Sequence, residues 1–255
     1  MIEKIAGMYS DIIFFRNKED FKTAEEEGIG KKTLKVYIGD GIDILRFDKK
    51  RFSQEFTENK KRGLGIPPGK IVIGIVARLV KEKGYLELFS AFPKIIEKFP
   101  DVILLIAGGT DVEKKDKIDS AIIEDFGIKK NVLYLGERTD VDELYAIMDI
   151  FVLPSWREGF SHSIMEASAM SLPVVASDIR GCRGAVEPGI TGLLVPPRDS
   201  QKLAQALIYI LSNSEKLKQM GQAGREKAKK EFDERLFFDK MKKEYERLIK
   251  EKIHY

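Results

Sequence analysis

Short apolar segments alternate with amphipathic segments of helical length from residue 71 onward, and no other feature limits the fold of this chain as strongly. The apolar segments carry hydrophobic residues at consecutive positions, which is typical of strands buried on both faces. They are Ile71–Val76, Val102–Ala107, Val132–Leu135, Ile150–Leu153, Pro173–Ala176 and Gly192–Val195. The helical segments between them are Tyr85–Phe99, Lys117–Phe126, Val141–Met148 and Ser161–Met170. This order predicts an α/β fold with a doubly wound parallel sheet, whose ligands bind in the loops after the strands.

The first fifty residues differ from the rest because they contain only two predicted strands. The predicted elements are a helix over Ile2–Met8, a strand over Asp11–Phe15, a helix over Asn17–Glu27 and a strand over Leu34–Ile38. Two strands are too few for an independent domain. We therefore expect residues 1–50 (the N-terminal region) to be a remnant of another domain. Residues 51–69 are expected to be a charged linker, and residues 70–231 to form the main domain.

The last segment, residues 232–255, carries apolar side chains at helical spacing opposite a basic face. This pattern predicts an amphipathic helix. We favour a helix that docks on the rest of the protein, and a basic helix lying on a membrane surface is the alternative.

Composition excludes several classes of protein. The net charge is only +3, which is weaker than nucleic-acid-binding proteins usually show, so we expect no nucleic-acid partner. The one cysteine, Cys182, rules out a disulfide within the chain. No apolar run approaches the roughly 18 residues of a membrane-spanning helix, and the first residues contain no apolar signal core. The sequence thus predicts a cytoplasmic protein with at most peripheral contact with the inner face of the membrane.

Two basic residues follow the first strand of the main domain. Arg78 and Lys83 lie between that strand and the next predicted helix. The amino end of a helix offers unpaired N–H groups and a partial positive charge, and the two side chains add full charges. A diphosphate is the ligand that this arrangement favours, and a solvated basic surface is the alternative.

Two carboxylates follow a later strand in the same way. Glu158 stands at the mouth of the predicted helix beside Gly159 and Ser161, and Glu166 lies about two turns inside it. An ionised carboxylate only accepts hydrogen bonds, and sugar hydroxyls donate them. The pair therefore suits vicinal hydroxyls. The alternative is an acidic residue favoured by the helix dipole together with an exposed Glu166.

Seven residues separate Glu158 from Glu166, and this spacing resembles the E-x7-E signature of retaining glycosyltransferases of the GT-B fold. The resemblance is to glycosyltransferase family 4, with its Glycos_transf_1 domain. Other matching runs are Ala77-Arg78-Leu79, Lys83-Gly84, Pro154-Ser155, Arg157–Phe160, Pro173–Asp178 and Thr191–Val195. The run Arg180–Arg183 is similar to that of members that build surface polysaccharides. The implied fold is the Rossmann-like C-terminal domain of GT-B enzymes.

The resemblance implies a role for each matching position. Arg78 and Lys83 would neutralise the diphosphate of the donor in place of a metal, so that no metal or other cofactor is expected. Glu158 would face the transferred sugar, and these three residues are the expected catalytic ones. Glu166 would bind the ribose hydroxyls. The full set of expected donor-binding residues is Arg78, Lys83, Gly136, Glu137, Arg138, Glu158, Gly159, Phe160, Ser161 and Glu166.

The implied reaction moves a sugar from a nucleotide diphosphate, UDP in preference to GDP, to an acceptor hydroxyl with retention of configuration. Surface polysaccharide or glycoconjugate synthesis is the expected setting. Most of the family's N-terminal acceptor domain has no counterpart here, so we expect weak or no activity without an acceptor-binding subunit encoded separately. A non-catalytic nucleotide-sugar-binding module, or an inactive gene fragment, is the alternative. A dinucleotide-dependent dehydrogenase is disfavoured, because no G-x-G-x-x-G turn follows the first strand.

Several residues depart from the family pattern. Asp40 stands in place of a hinge Asn, Ser171 in place of a Gly suited to positive φ, and Gly184 in place of an acidic residue. Of the two histidines, His162 lies at the helix mouth and is a weak candidate for sugar contact, whereas His254 belongs to the tail. In relatives the last helix crosses back to the N-terminal domain. The corresponding expectation is that Phe237, Met241 and Tyr245 pack against Ile12, Phe14 and the Asn17–Glu27 helix.

Overall fold

Eight strands form two parallel sheets in the computed structural model, which describes residues 2–110 and 117–253. The strands are β1 (Ile12–Phe15), β2 (Leu34–Tyr37), β3 (Ile71–Val76), β4 (Val102–Ala107), β5 (Val132–Tyr134), β6 (Ile150–Leu153), β7 (Val174–Ser177) and β8 (Gly192–Val195). The larger sheet has the order β5-β4-β3-β6-β7-β8, and all its pairs are parallel. The predicted doubly wound, Rossmann-like sheet is confirmed.

Helices cover the sheets and connect the strands. They are α1 (Ile2–Met8), α2 (Lys18–Glu26), α3 (Gln54–Gly63), α4 (Tyr85–Lys98), α5 (Val141–Ala146), α6 (His162–Ala169), α7 (Arg180–Arg183), α8 (Ser200–Leu211), α9 (Ser214–Glu231) and α10 (Glu234–Ile253). The core of the main domain lies between the central strands and these helices. Every residue of β6 and β7 is buried, as their consecutive apolar residues require.

Two predicted segments have a different conformation. The helix expected over Lys117–Phe126 is a 3₁₀ helix over Ser120–Phe126, which Asp119 caps and Gly127 ends in the left-handed region. Residues 51–69, the expected linker, contain the helix α3, which the sequence analysis did not predict; the amide of Phe56 donates to the hydroxyl of Ser53 and caps its first turn. The ammonium of Lys60 then binds the carboxylates of Asp140 and Glu143, at 2.6 and 2.5 Å.

The tail helix begins two residues later than expected, after a break at Phe232 and Asp233. The chain from β2 crosses this break: the amide of Ile42 donates to the carbonyl of Phe232, and the amide of Glu234 donates to the carbonyl of Ile42. Gly41 permits the crossing, since a Cβ atom there would lie 2.4 Å from the Cα atom of Glu234. The N-terminal region is therefore joined to the junction of α9 and α10.

The small sheet of the N-terminal region has helices on both faces. The ring of Phe15 packs against Phe21 of α2, and the ring of Phe14 packs against Tyr245 of α10, both with centroids 5.6 Å apart. Tyr245 thus makes the contact expected of it, and Lys252 adds an ion pair to Asp11 at 2.7 Å. The ring of Phe237 contacts the neighbouring Phe238. His254 lies outside the described residues.

Candidate functional site

The carboxyl ends of the central strands meet at one edge of the large sheet and form a crevice of about 320 Å³. Three of the predicted donor-binding residues line it, together with small residues that follow β4. The lining includes Arg78, Gly108, Gly109, Thr110, Glu137 and Arg138. The loops after β3, β4 and β5 are therefore brought together as the strand order predicts.

Lys83 and Glu158 form the centre of the site. The ammonium of Lys83 lies 2.6 Å from one carboxylate oxygen of Glu158, and the hydroxyl of Ser155 donates to that oxygen at 2.7 Å. The two charged side chains are only 14% and 12% exposed, so solvent screens their attraction weakly. Residues 75 positions apart in the sequence thus share one charged cluster after β3 and β6, a pairing that the sequence analysis did not predict.

Arg78 lies in the same loop as Lys83 and keeps half of its side chain exposed. Its guanidinium is 3.8 Å from the carboxylate of Glu82. Because Arg78 also lines the crevice, an anion bound there would lie beside its guanidinium.

The amino end of α6 follows Glu158 directly. The hydroxyl of Ser161 caps the helix by accepting from the amide of Ile164, and the amide of Ser161 donates to the carbonyl of Gly181 at 3.4 Å. Gly181 allows this approach, since a Cβ atom there would lie 2.4 Å from the carbonyl oxygen of Glu158. The helix thereby presents its positive end beside the Lys83–Glu158 pair.

Phe160 has a different environment from the other predicted donor residues. Its ring packs edge-on against Phe232, with centroids 6.2 Å apart. A Cβ atom at Gly184 would lie 2.7 Å from this ring, so the ring fills the space that a side chain at position 184 would need. The ring of Phe160 thus joins the site to the junction of α9 and α10, and its backbone remains at the helix mouth.

Glu166 is held by a residue that the sequence analysis did not single out. The hydroxyl of Tyr145 in α5 donates to a carboxylate oxygen of Glu166 at 2.9 Å. Burial raises the pKa of the Tyr145 phenol well above its usual range, so the phenol keeps the proton it donates. Burial also raises the pKa of Glu166, and the hydrogen bond from Tyr145 opposes this shift. In the sequence, Tyr145 lies in a predicted helix whose apolar pattern indicates only core packing, so its hydrogen bond to Glu166 was not predicted.

The loop after β5 is fixed by its own contacts. The carbonyl of Gly136 accepts from the amide of Gly108 at 2.7 Å, and the guanidinium of Arg138 binds Asp140 through two hydrogen bonds, at 2.8 and 2.6 Å. Arg138 and Lys60 hold the pKa of Asp140 well below its ordinary value. The Arg138 side chain is thus held in place by Asp140, and Glu137 and Arg138 of this loop line the crevice.

A second charged cluster joins the N-terminal region to α6. The carboxylate of Asp40 accepts from the guanidinium of Arg16 and from the amide of Gly41, and lies 3.0 Å from Nε2 of His162. The side chain of Asp40 is 6% exposed, and the side chains of Arg16 and His162 are half-exposed. Nothing in the sequence pattern placed Arg16 at the site, and Asp40 was noted only as a departure in a hinge.

Within residues 2–110 and 117–253, no group of His, Cys, Asp and Glu side chains has the arrangement of a metal site. In the same part of the chain no helix is long and apolar enough to cross a membrane.

Residues 56–227 match the family described as glycosyl transferases group 1. The chain belongs to this family. The match covers the loops at the carboxyl edge of the large sheet, including both glutamates and both basic residues of the loop after β3.

Curated relatives of the family carry named activities. The chain is 33% identical over 212 residues to a D-inositol 3-phosphate glycosyltransferase of Corynebacterium urealyticum, covering 81% of this chain and 50% of the relative. It is 28% identical over 253 residues to the capsular polysaccharide biosynthesis glycosyltransferase CapM of Staphylococcus aureus, covering 98% of this chain and 65% of CapM. The chain therefore spans about half to two thirds of the length of these relatives.

Solved structures agree on the fold. The sucrose-phosphate synthase of Thermosynechococcus elongatus superposes with a TM-score of 0.84 at 25% identity, covering 98% of this chain and 61% of that one. HepE of Anabaena, solved in complex with UDP, superposes with a TM-score of 0.84 at 22% identity, covering 96% of this chain and 66% of that one. Both alignments include the N-terminal region as well as the main domain.

Proposed function

We propose that this chain binds a nucleotide diphosphate sugar at the carboxyl edge of the large sheet and is the donor-binding part of a retaining glycosyltransferase. The observation that carries the proposal is the largely buried Lys83–Glu158 pair beside the amino end of α6. A diphosphate placed there meets the helix end and two cationic side chains, Lys83 and Arg78. Such positioned charges stabilise a departing diphosphate without a metal.

Each residue then has a stated part in the transfer. The bond between the anomeric carbon and the β-phosphate oxygen breaks, a bond from that carbon to the acceptor oxygen forms, and the proton of the acceptor hydroxyl passes to the departing β-phosphate oxygen. Arg78 and Lys83 offset the charge that builds up on the leaving diphosphate. Glu158 accepts hydrogen bonds at the sugar end, and Glu166, positioned by Tyr145, accepts them from the ribose. The backbone of residues 136–138 borders the base.

UDP is the nucleotide that we favour. Structures of HepE in complex with UDP and with UDP-glucose, which share the fold, support this choice. The capsular polysaccharide and D-inositol 3-phosphate transferases among the relatives support a role in polysaccharide or glycoconjugate synthesis.

Titration calorimetry with UDP and with GDP tests the donor site. We expect UDP to bind more tightly than GDP, and Lys83→Ala to weaken UDP binding at least about tenfold, because a hydrogen bond to a charged group is worth roughly 1.5–3 kcal/mol. Glu166→Gln keeps the shape of the side chain and should weaken binding less. Lys70→Ala is the matched control, since Lys70 pairs with Asp101 before β3 and β4, at the opposite edge of the sheet. A folded wild-type chain that binds neither nucleotide would refute the proposal.

We further propose that transfer needs an acceptor-binding polypeptide that docks beside β1. A groove of about 720 Å³ runs along this strand, and consecutive residues from Ile12 to Asn17 line it, so the groove follows the backbone edge and not one face. The amide of Ile38 donates to the carbonyl of Phe15 within the sheet. The backbone N–H and C=O groups of successive residues in a strand point to opposite sides. Because those of Phe15 point toward β2, the N–H and C=O groups of Ile12 and Phe14 point away from β2, toward the groove.

Reconstitution tests this partner. The part of CapM that this chain does not match, expressed as a separate polypeptide, is the probe. We expect sugar transfer from UDP-glucose or another UDP-sugar only when both polypeptides are present, and loss of the complex on Ile13→Lys, which places a charge in the groove. Ile190→Lys is the matched control, because Ile190 is an exposed isoleucine just before β8 in the main domain, away from this groove. A pair that never associates, or self-association of this chain through β1, would contradict the proposal.

A non-catalytic nucleotide-sugar-binding module is the second candidate, and the departures from the family pattern at Ser171 and Gly184 favour it. Donor binding without transfer in the presence of every acceptor polypeptide tried would favour it.

A further inference from the structure

The cluster of Arg16, Asp40 and His162 links two regions of the chain through one imidazole nitrogen. Arg16 follows β1, Asp40 follows β2, and His162 is the first residue of α6. The carboxyl ends of both strands of the small sheet therefore meet the helix end that faces the proposed diphosphate. Arg180 of α7 adds an ion pair to Asp20 of α2 at 2.7 Å, which keeps the two regions in register beside this cluster.

The geometry gives His162 two competing partners. Its Nε2 atom lies 3.0 Å from a carboxylate oxygen of Asp40 and 2.7 Å from a guanidinium nitrogen of Arg16. A ring nitrogen either carries a proton and donates, or has a lone pair and accepts. With a proton on Nε2 it bonds to Asp40, and without one it accepts from Arg16.

The charged groups around His162 come from three elements. Asp40 from the N-terminal region and Glu166, one turn along α6, favour the imidazolium. Arg16 and the positive end of α6 oppose it. The hydrogen bond to Asp40 outweighs burial and Arg16, so the pKa of His162 is raised above its ordinary value. Burial alone would raise the pKa of Asp40, but the hydrogen bonds from His162 and Arg16 lower it, so Asp40 stays ionised.

We propose that His162 is a positioning residue of the donor site, which in its protonated form bonds to Asp40 and holds the amino end of α6 against the N-terminal region. Loss of the proton from Nε2 leaves the Nδ1–H tautomer, whose Nε2 lone pair accepts from Arg16; the link to Asp40 is thereby released and donor binding is weakened. Because the pKa of His162 is raised in the folded chain, the bond from His162 to Asp40 is complete at acid pH. It is lost as the pH rises through that raised pKa. The inference rests on the proposed function, since it concerns the affinity of the donor site.

Binding of UDP-glucose across the pH range tests this role. UDP-glucose is the probe because its diphosphate is esterified at both ends and neither gains nor loses a proton between about pH 5.5 and 8. We expect the affinity of the wild type for UDP-glucose to fall at least about fivefold as the pH rises over this range. About fivefold is the smallest effect that two coupled sites typically have on each other's affinity. His162→Ala should bind weakly at every pH.

His162→Gln separates positioning from charge. The amide of glutamine donates a hydrogen bond to Asp40 at any pH but carries no charge. We expect it to bind UDP-glucose about as tightly as the wild type does at pH 5.5, with no dependence on pH. If His162→Gln binds as weakly as His162→Ala, the imidazolium charge and not the link to Asp40 is responsible, and the proposal is wrong.

The titration of His162 itself provides a readout without donor. The chain has two histidines, so the His162→Gln spectrum assigns the nuclear magnetic resonance signals. We expect a pKa for His162 above the ordinary value, lowered in Asp40→Asn and raised further by UDP-glucose, because linkage is reciprocal. A wild type with this raised pKa but no donor binding would refute the proposed function alone. An ordinary pKa that Asp40→Asn leaves unchanged would refute the proposal for His162, whether or not donor binds.

Discussion

The two parallel sheets of this chain contrast in how completely their strands are buried. All residues of β6 and β7 in the large sheet are buried, whereas all residues of β1 and β2 remain partly exposed, although helices cover both faces of the small sheet. The difference lies at the edges, since a strand with two neighbours is enclosed and one with a single neighbour is not. A parallel sheet thus needs several strands before its centre is protected. Stability should therefore reside in the main domain, and the N-terminal region should depend on contacts with it.

Hydrogen exchange should give the largest difference between the two regions. We expect the amides of β3 and β6 to exchange at least about a thousandfold more slowly than those of β1 and β2, because the large sheet opens only by global unfolding. Mass spectrometry of peptic fragments measures this difference. Equal protection in the two sheets would break the comparison.

The second-largest difference between the two sheets should appear when one phenylalanine in each sheet is replaced by alanine and the losses in the free energy of unfolding are compared. Phe151 in β6 is fully buried and contacts Tyr145, so Phe151→Ala should lower the free energy of unfolding by about 3–5 kcal/mol. Phe15 in β1 is only half-buried, and Phe15→Ala should cost no more than about 1.5 kcal/mol. Urea denaturation provides both values. The comparison fails if the two losses are the same.

Replacing Arg225 tests how much the contacts between the N-terminal region and the main domain contribute to stability. Its guanidinium donates to the carbonyls of Ile44, Phe47 and Ala169 and pairs with Asp48 at 2.8 Å. Arg225→Ala removes these bonds from a nearly buried group and should lower stability by about 2–3 kcal/mol.

The control for Arg225 is an arginine in exposed ion pairs. Arg183 pairs with Asp178 and Glu19, and these three side chains are each 40% to 49% exposed. Arg183→Ala should therefore cost less than about 1 kcal/mol in the same thermal or urea unfolding experiment. A larger loss than for Arg225→Ala would show that surface charges, and not the buried hydrogen bonds, hold the two regions together.

Ser171 offers the smallest effect and one of opposite sign. It adopts φ = +60° between α6 and β7, a left-handed conformation that glycine reaches without strain. Ser171→Gly should raise the free energy of unfolding of the main domain by about 0.5–1 kcal/mol. Unchanged or reduced stability would mean that the side chain makes up for the strain of the backbone.

The sequence predicted the parts of this structure that depend on local pattern. Consecutive apolar residues located all six strands of the main domain to within about one residue, since double burial requires them. The rule that loops after parallel strands converge placed Lys83 and Glu158 at the same edge of the sheet, although their ion pair was not predicted.

Contacts between side chains that are far apart in the sequence could not be predicted from the sequence pattern. Asp40 and His162 are 122 residues apart, and no local pattern marks them as partners. Tyr145 was indistinguishable from a core residue until its hydroxyl was seen to bind Glu166. The helix of residues 54–63 was missed because its pattern is strongly charged, and it is held by a cap at Ser53 and by ion pairs of Lys60 to α5.

In the part of the chain that the structure describes, β1 pairs only with β2, and its other edge has a consequence for aggregation. Its sequence, Ile12-Ile13-Phe14-Phe15, carries no charge and no proline, the composition that templates cross-β assembly when a strand edge is exposed. A newly synthesised copy must bury this strand faster than it meets a second copy. Under the proposal that an acceptor-binding polypeptide docks beside β1, we expect this chain to aggregate when it is made alone in excess, and we expect co-expression with that polypeptide to raise the yield of soluble protein.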